Sequence, residues 1–499
     1  MPKIKVKSEG NISVIEVEKG EMLLGILRSE GFEIYAPCGG NGTCGKCNVY
    51  IKDEGNVTSC LYAVEKDIEI VLPDPVESKI LTAQYKHSRI LPFNPGQIAN
   101  ISAYPFGVAI DIGTTSLVFY FVQLVTTSLL ETKAVLNPQA KYGADVISRI
   151  NHCIVNKDGL RTLQSDLIQT INTQLSNFVE KTGVTANEIV KISVTGNATM
   201  LHLLLGINPE SIAFAPFTPV FTEEKIVKAA TLNLDCNPDG EVKILPSVSA
   251  YVGADIVAGI ASIAPSEKLK KYLFVDIGTN GEMALITPEK IYCCATAAGP
   301  AFEGASIECG MGALEGAISV VTAVDNFKTI GDAEAIGICG SGLIDLVAEL
   351  VKAGKIKADG LMEEDFILVP KDKSGRKAIK ITQQDIRELQ LAKSAISAGM
   401  KILVQQAGLT LDDLDALYLA GGFGNYIRIP SAVTIGLIPK ELENKVVPVG
   451  NTSGTGAVLA LKSVSFDDVI KNILEKMHYI ELSDHEDFVL EFAMNMEFP

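Results

Sequence analysis

The chain has 499 residues, of which 47% are hydrophobic and 21% are charged, so it is not wholly disordered and its length predicts several domains. A formal net charge of −17 and the absence of tryptophan argue against a nucleic-acid-binding surface. The N-terminus lacks the apolar core of a signal peptide, and the most apolar window, 108–130, contains Asp111 and Gly113, which a membrane span disfavours. We therefore expect a soluble cytoplasmic protein with neither a nucleic-acid nor a membrane partner.

The N-terminal region carries the pattern of a small α+β domain. Alternating apolar residues predict strands over 3–7 and 12–17, and the turn residues between them predict a hairpin. A short helix is predicted over 22–28, followed by strands over 48–52 and 68–72. This order of elements is typical of a β-grasp domain.

A cysteine cluster interrupts this domain. Its spacing is C-x5-C-x2-C-x12-C, and its members are Cys38, Cys44, Cys47 and Cys60. Four thiolates can hold a [2Fe–2S] cluster, and the glycines of the loop let backbone amides turn toward the sulfides. A zinc site would favour two short C-x2–4-C pairs, and a redox thiol pair would need only two cysteines. The pattern favours a [2Fe–2S] cluster over these two alternatives.

A proline-containing segment separates this domain from a larger region. Five prolines fall within 73–105, which predicts an extended connector or a strapped-down linker. From Gly107 onward, apolar strands alternate with long helical patterns, including 158–181 and 381–407. This alternation is typical of α/β architecture.

One short pattern occurs twice in the larger region. An apolar strand runs into Asp-Ile-Gly-Thr at 108–115 and again at 273–280, which predicts two related lobes that each open with the same hairpin. Glycine lets the backbone approach a phosphate, threonine supplies a hydroxyl and an amide, and aspartate can hold hydrated Mg²⁺ or orient a water. A third glycine turn at 419–424 offers bare backbone for adenine and ribose. Since these turns match neither a Walker A motif nor G-x-G-x-x-G, a P-loop or Rossmann site is disfavoured.

These motifs together resemble a known family. The paired turns and Ala-Gly-Gly-Phe-Gly at 420–424 resemble the actin, sugar kinase and Hsp70 (ASKHA) superfamily. From about residue 3 to about residue 460, the chain resembles ATP-dependent reductive activators of corrinoid proteins, the ferredoxin-fused branch of that superfamily. Further segments that carry the resemblance are Pro-Cys-Gly-Gly at 37–40, Thr-Gly-Asn-Ala-Thr-Met at 195–200, Tyr-Val-Gly-Ala-Asp at 251–255 and Ile-Cys-Gly-Ser-Gly-Leu-Ile-Asp at 338–345.

The resemblance implies a multidomain α+β and α/β fold, in which an N-terminal β-grasp [2Fe–2S] ferredoxin is fused to a two-lobed actin-like (ASKHA) ATPase. We place the ferredoxin domain at 1–75, a linker at 76–105, the ATPase at 106–480 and an acidic C-terminal stretch at 481–499. That stretch has six acidic residues and no lysine or arginine, and we expect it to be a solvated end. Many members carry a middle domain between ferredoxin and ATPase, whereas we expect only the linker here.

The resemblance also implies the site residues. The two phosphate loops would supply the catalytic pair Asp111 and Asp276, with Gly113, Thr114, Thr115, Gly278, Thr279 and Asn280 binding the phosphates. The adenosine motif would contain Gly421, Gly422 and Gly424, and the same cleft would be lined by Gly340 and Ser341. The implied cofactors are the [2Fe–2S] cluster, ATP and Mg²⁺.

The function that the resemblance implies is ATP-dependent transfer of an electron from the cluster to Co(II), which regenerates Co(I) for methyl transfer. The implied partners are a corrinoid protein of a methyltransferase system and an external low-potential electron donor. Three alternatives stay open: an ATP-gated redox sensor, an activator of another low-potential acceptor such as a dehydratase, and a small-molecule kinase. The oligomeric state is not fixed by the sequence, and a homodimer stays open.

Overall fold

A computed structural model describes residues 1–8, 11–30, 32, 34, 40, 42, 47–72, 88–94, 96, 104–143, 145–266, 268–371, 378–424 and 426–499. The chain divides into two compact units. One comprises Met1–Ser78 and Gln139–Arg149, and the other comprises Lys79–Pro138 and Ile150–Pro499.

The N-terminal unit is built on a five-stranded sheet in its described part, with strand order β2-β1-β5-β3-β4. Its elements are β1 (Lys3–Ser8), β2 (Asn11–Glu16), α1 (Leu23–Ser29), β3 (Asn48–Ile51), β4 (Gly55–Thr58) and β5 (Ile68–Val71). The first two strands form the predicted antiparallel hairpin, and β1 pairs with β5 in parallel. Ile4 and Ile70 of the sheet and Leu23 and Leu27 of the helix are fully or almost fully buried, so α1 packs on the sheet as in a β-grasp domain.

Strand β4 was not predicted from the sequence. Its residues are Gly55, Asn56, Val57 and Thr58, and glycine and asparagine usually indicate turns rather than strands. Pairing with the whole of β3 decides its conformation instead, since every one of its residues has a partner there.

The first lobe of the larger unit has a sheet of order β10-β11-β9-β6-β7-β8. The elements along this part of the chain are β6 (Phe106–Ile112), β7 (Ser116–Gln123), β8 (Leu129–Leu136), α2 (Val146–Val155), α3 (Gly159–Thr182), β9 (Ile189–Gly196), α4 (Ala198–Leu205), α5 (Glu210–Ala213), β10 (Lys225–Lys228), β11 (Glu241–Ile244) and α6 (Ala254–Ser262). Strands β6, β7 and β8 form an antiparallel meander, and β6 then pairs in parallel with β9. The predicted helix 158–181 is α3, which ends at Gly183 with a left-handed φ of +72°.

The second lobe has strand order β21-β20-β12-β13-β14-β22, and its first five strands repeat the arrangement β11-β9-β6-β7-β8 of the first lobe. The sixth strand differs, since β10 lies beside β11 and β22 lies beside β14. The main elements are β12 (Tyr272–Ile277), β13 (Gly281–Ile286), β14 (Ile291–Thr296), β15 (Ala317–Ala323), β16 (Asn326–Thr329), β17 (Gly337–Ile338), α7 (Gly340–Lys352), β18 (Phe366–Val369), β19 (Ile379–Ile381), α8 (Gln383–Gln406), β20 (Ala416–Ala420), α9 (Gly421–Gly424), α10 (Ile429–Thr434), β21 (Val446–Gly450), α11 (Thr452–Lys462), α12 (Ser465–Lys476), β22 (Met477–Tyr479) and α13 (Phe488–Met494). Strands β12, β13 and β14 form a meander, and β12 pairs in parallel with β20. The prediction of two lobes that each open with the same hairpin is confirmed.

The described part of the predicted linker lies on the larger unit. An isolated antiparallel β-bridge joins Ser88 to Ile263. The guanidinium of Arg89 donates to the carbonyls of Ala261 and Ile263. Asn94 exchanges backbone hydrogen bonds with the segment between α11 and α12. Residues 88–94 are therefore strapped down rather than free.

The C-terminal stretch is docked, and our expectation of a solvated end was wrong. Helix α13 packs on α8, and Phe498 is only 2% exposed. The ammonium of the buried Lys393 donates to the carbonyls of Asn495 and Glu497. Apolar residues between the acidic ones supply the contacts, so acidic composition alone gave a misleading prediction.

In the part of the chain that the structure describes, the helices are all too short or too polar to cross a membrane.

Candidate functional site

Two of the four predicted cluster cysteines lie in the described part of the N-terminal unit. Cys47 directly precedes β3, Cys60 lies just after β4, and both side chains are buried. The amide of Cys60 donates to Sγ of Cys47 over 3.4 Å, and the Ser59 hydroxyl donates to the Cys47 carbonyl. The two cysteines are thus buried next to each other, as two ligands of one cluster would be, so this pair fits a cluster. Cys38 and Cys44 lie outside the described residues.

The two described glycines of the cluster loop adopt a conformation that other residues disfavour. Gly40 has a φ of +94° and Gly42 a φ of +77°. A Cβ on Gly40 would lie 2.9 Å from the side chain of Leu24, and one on Gly42 would lie 2.7 Å from that of Leu61. Gly40 and Gly42 can therefore lie close to α1 and to the residue after Cys60.

The Asp-Ile-Gly-Thr segments form tight turns after β6 and β12. The amide of Gly113 donates to the carbonyl of Ser116, and that of Gly278 donates to the carbonyl of Asn280, both over 2.9 Å. A Cβ on Gly113 would lie 2.9 Å from the Ser116 carbonyl oxygen, so glycine is required there. Because β6 and β12 each pair with a parallel neighbour, both turns lie where ligands usually bind, at a carboxyl edge of a sheet.

Asp111 at the end of β6 is held by residues at the start of α11, the helix that follows β21 of the second lobe and packs on β6 and β9 of the first. Nδ2 of Asn451 donates to its Oδ2, and the hydroxyl of Ser453 donates to its Oδ1, both over 2.8 Å. Oδ1 of Asn451 accepts from the amide of Gly454 over 2.7 Å and so caps α11. In the first lobe, Nδ2 of Asn197 donates to the hydroxyl of Thr114 over 3.0 Å.

A single glutamate joins the two turns. Oε1 of Glu303 accepts from the hydroxyl of Thr115 over 3.0 Å, and its Oε2 accepts from the hydroxyl of Thr279 over 2.9 Å. Gly299 and Gly304 flank the short turn that ends in Glu303, with φ of +75° and +76°. Since the threonines belong to different lobes, one carboxylate spans the cleft between them.

Further carboxyl groups share this cleft. Burial is the main cause that raises the pKa of Asp276, to about 7, and the charge of Asp111 adds to it. Burial also raises the pKa of Asp111, against the hydrogen bonds that it accepts. Burial and the neighbouring aspartates raise the pKa of Asp255 and of Glu282. Among the described residues no three such side chains converge as a metal site, so a divalent cation here would take one or two carboxylates together with phosphate oxygens and water.

The predicted adenosine motif lies next to this cleft at its first glycine, Gly421. Gly421 has a φ of +88°, and a Cβ there would lie 2.4 Å from Oδ1 of Asp276. Gly422 is exposed, whereas Gly424 is buried and packs near Leu419. The third glycine turn therefore lies directly beside the second phosphate loop.

Gly340 and Ser341 begin helix α7 and are buried. The hydroxyl of Ser341 donates to the carbonyl of Ser319 over 2.8 Å. This bond holds the start of α7 against β15, so among the described contacts Ser341 binds the three-stranded sheet β16-β15-β17.

Five residues of the cleft were not predicted from the sequence as site residues: Glu303, Asn451, Ser453, Asp255 and Glu282. Asp255 lies in one of the segments that carried the resemblance, and Asn451 follows an apolar strand at a helix start, where asparagine is a common cap. Glu303 has only its flanking glycines as a signal, since its partners are remote in sequence.

Three family models match the chain. A "2Fe-2S iron-sulfur cluster binding domain" matches residues 6–69, the "RACo middle region" matches 106–266, and the "C-terminal domain of RACo the ASKHA domain" matches 270–499. The prediction of an N-terminal [2Fe–2S] domain fused to an ASKHA domain is confirmed. Our expectation that the middle region is lacking was wrong, because the chain carries it from residue 106, directly after the segment that we predicted as a linker.

Two curated relatives and one solved structure resemble most of the chain. The "Corrinoid activation enzyme RamQ" of Eubacterium limosum is 30% identical over 580 aligned residues, which cover 97% of each chain. The "[Co(II) methylated amine-specific corrinoid protein] reductase" of Methanosarcina barkeri is 27% identical, over 73% of this chain and 72% of its own. The structure of a "Reductive activator for corrinoid,iron-sulfur protein" is 33% identical, with a TM-score of 0.72 and coverage of 99% of this chain and 98% of that chain.

Proposed function

This chain belongs to the RACo family of corrinoid-protein activators, and from that premise we propose that it uses ATP to return an oxidised corrinoid protein to its active form. One electron would pass to Co(II) of the partner's corrinoid and give Co(I), the nucleophile of methyl transfer. The observation that carries this proposal is the union, in one chain, of a [2Fe–2S] domain with a two-lobed cleft lined by carboxylates and glycine turns.

The N-terminal unit would hold the electron carrier through Cys38, Cys44, Cys47 and Cys60. A bound [2Fe–2S] cluster supplies a carrier that takes up and releases one electron at a time. The chain's own contribution is to bury Cys47 and Cys60 and to direct an amide at sulfur, which stabilises negative charge there. An external low-potential donor would replace each electron that leaves.

The larger unit would bind MgATP between its lobes. Asp111 and Asp276 would orient the cation and the attacking water, and the amides of the two phosphate turns would bind the phosphates. Gly421 would leave room for the nucleoside beside Asp276. Hydrolysis would move a phosphoryl group to water.

ATP would be needed because the electron transfer is energetically uphill. Plant-type clusters have potentials near roughly −400 mV, and each ~59 mV of deficit lowers a one-electron equilibrium about tenfold. Nucleotide binding can shift this equilibrium only by stabilising one conformation over another. The bonds from Asn451 and Ser453 to Asp111 offer a route, since they connect the first phosphate loop to the segment that follows β21 of the second lobe.

The test is an anaerobic EPR measurement of Co(II) in a candidate corrinoid protein mixed with a reductant and this protein. We expect the signal to disappear only when MgATP is present. Cys47→Ser should abolish the reduction and retain ATP turnover, whereas Cys153→Ser, outside the cluster loop, should retain both. Full reduction by Cys47→Ser would contradict the proposal, and tight nucleotide binding without turnover would favour the redox sensor instead.

The proposal extends to the setting of the reaction. We propose that the protein works in the cytoplasm with a corrinoid protein of a methyltransferase system. A homodimer is the assembly to be tested first, by light scattering with and without nucleotide.

A further inference from the structure

The contact between Glu303 and the two phosphate loops has a consequence for nucleotide choice. Thr115 and Thr279 each have a single hydroxyl proton, and both protons point at the Glu303 carboxylate. A phosphate oxygen, like a carboxylate oxygen, only accepts hydrogen bonds. Neither hydroxyl can therefore donate to a phosphate while it donates to Glu303.

The position of Glu303 makes this competition specific for one part of the nucleotide. Its two oxygens are shared between the two lobes, at the point where each lobe presents the threonine of its Asp-Ile-Gly-Thr turn. A group that replaces the carboxylate must itself span both threonines. In the proposed binding mode, in which both turns clamp one triphosphate, the terminal phosphate does so.

We propose that Glu303 is a specificity-determining residue whose carboxylate occupies the place of the terminal phosphate. It makes the cleft discriminate between ATP and ADP, because only ATP has to displace this carboxylate. ATP binds by displacing the carboxylate from the two hydroxyls, and this exchange signals the terminal phosphate to both lobes. ADP binds without displacing it. This inference rests on the proposed function, because it takes the two turns as phosphate loops.

The test compares the affinities of the full-length chain for a non-hydrolysable MgATP analogue and for MgADP, measured by calorimetry. Glu303→Gln removes the competing charge and one of the two acceptor oxygens. We expect its affinity for the ATP analogue to rise at least about tenfold, which corresponds to about 1.4 kcal/mol, while its affinity for ADP stays within about twofold. Glu289→Gln removes an exposed glutamate of the same lobe and should change neither affinity.

The outcomes separate this inference from the proposed function. If wild type binds neither nucleotide, both are overturned. If wild type binds ATP but Glu303→Gln binds the analogue less tightly, or loses turnover with an unchanged ratio of the two affinities, Glu303 instead assists binding or hydrolysis. Either of these results overturns the inference alone. Unchanged ADP binding by the variant serves as the check that its cleft is folded.

Discussion

The bond between Asn451 and Asp111 allows a test of charge at nearly constant shape. Asn451→Asp retains the oxygen that caps α11 but replaces the amide that donates to Asp111 with a second carboxylate. The lost hydrogen bond to a charged group is worth roughly 1.5–3 kcal/mol. Two carboxylates about 4 Å apart repel by roughly 4 kcal/mol at an effective dielectric constant of 20.

The expected loss of stability is therefore roughly 5–7 kcal/mol while both groups stay charged, a large share of the ~5–15 kcal/mol that stabilises a typical domain. Asn451→Ser is the matched control, because serine can cap the helix without adding charge. We expect the control to lose only the hydrogen bond to Asp111. The difference between the two variants isolates the repulsion.

The repulsion also predicts a pH dependence. Burial already raises the pKa of Asp111, and a second carboxylate would raise the folded-state pKa values further. The folded variant then binds a proton that the unfolded chain releases near pH 4, so its stability falls as pH rises from about 4 through the raised pKa. Differential scanning calorimetry in EDTA should show a larger gap between Asn451→Asp and Asn451→Ser at pH 8 than at pH 5.5. An equal gap at both pH values would refute the assignment of charge to Asp111.

Three further predictions concern other parts of the molecule. Gly421→Ala places a Cβ against the Asp276 carboxylate, so it should lose nucleotide binding in a titration, whereas Gly408→Ala has a φ of +67° but open space and should retain it. Cys47→Ser should lose the visible absorption of the cluster, with the circular dichroism of the larger unit unchanged. Burial lowers the pKa of Lys393 to about 8, so the unfolded chain binds more protons between pH 8 and about 10.5. Wild type should therefore gain stability over that interval relative to Lys393→Met in thermal unfolding, and a parallel pH profile for the two proteins would contradict this.

The sequence predicted best where local pattern decides the structure. Alternation over 12–17 and the helical spacing over 158–181 gave the right elements, because burying one face of an element requires such spacing. The pair of Asp-Ile-Gly-Thr hairpins was visible as a repeat, and the two sheets share five strands in the same order. Tight turns at Gly113 and Gly278 follow from the same local chemistry.

Contacts between remote segments were beyond such reasoning. Asn451 meets Asp111 because α11 returns from β21 to pack on β6 and β9, and Glu303 meets Thr115 across the cleft. No spacing along the chain encodes either contact. The docked C-terminus shows the same limit. Its six acidic residues predict a solvated end, whereas the burial of Phe498 helps to hold it against the larger unit. Tertiary contacts, rather than composition, decide such cases.

The charge of the cleft links these contacts to the proposed reaction. Burial raises the pKa values of four carboxyl groups of the cleft, and neighbouring carboxylates add to the rise at all but the first: Asp111, Asp255, Asp276 and Glu282. Glu303 adds a further carboxylate between the two loops. A bare triphosphate would add its negative charge to that of these carboxylates, so the cleft favours a nucleotide that arrives with its cation. The cation offsets the aspartates and the phosphates together, whereas Glu303 must still move away from the terminal phosphate. When Glu303 moves, it releases the hydroxyl of one threonine on each lobe. The carboxylate that opposes nucleotide binding is therefore also the group through which the terminal phosphate acts on both lobes.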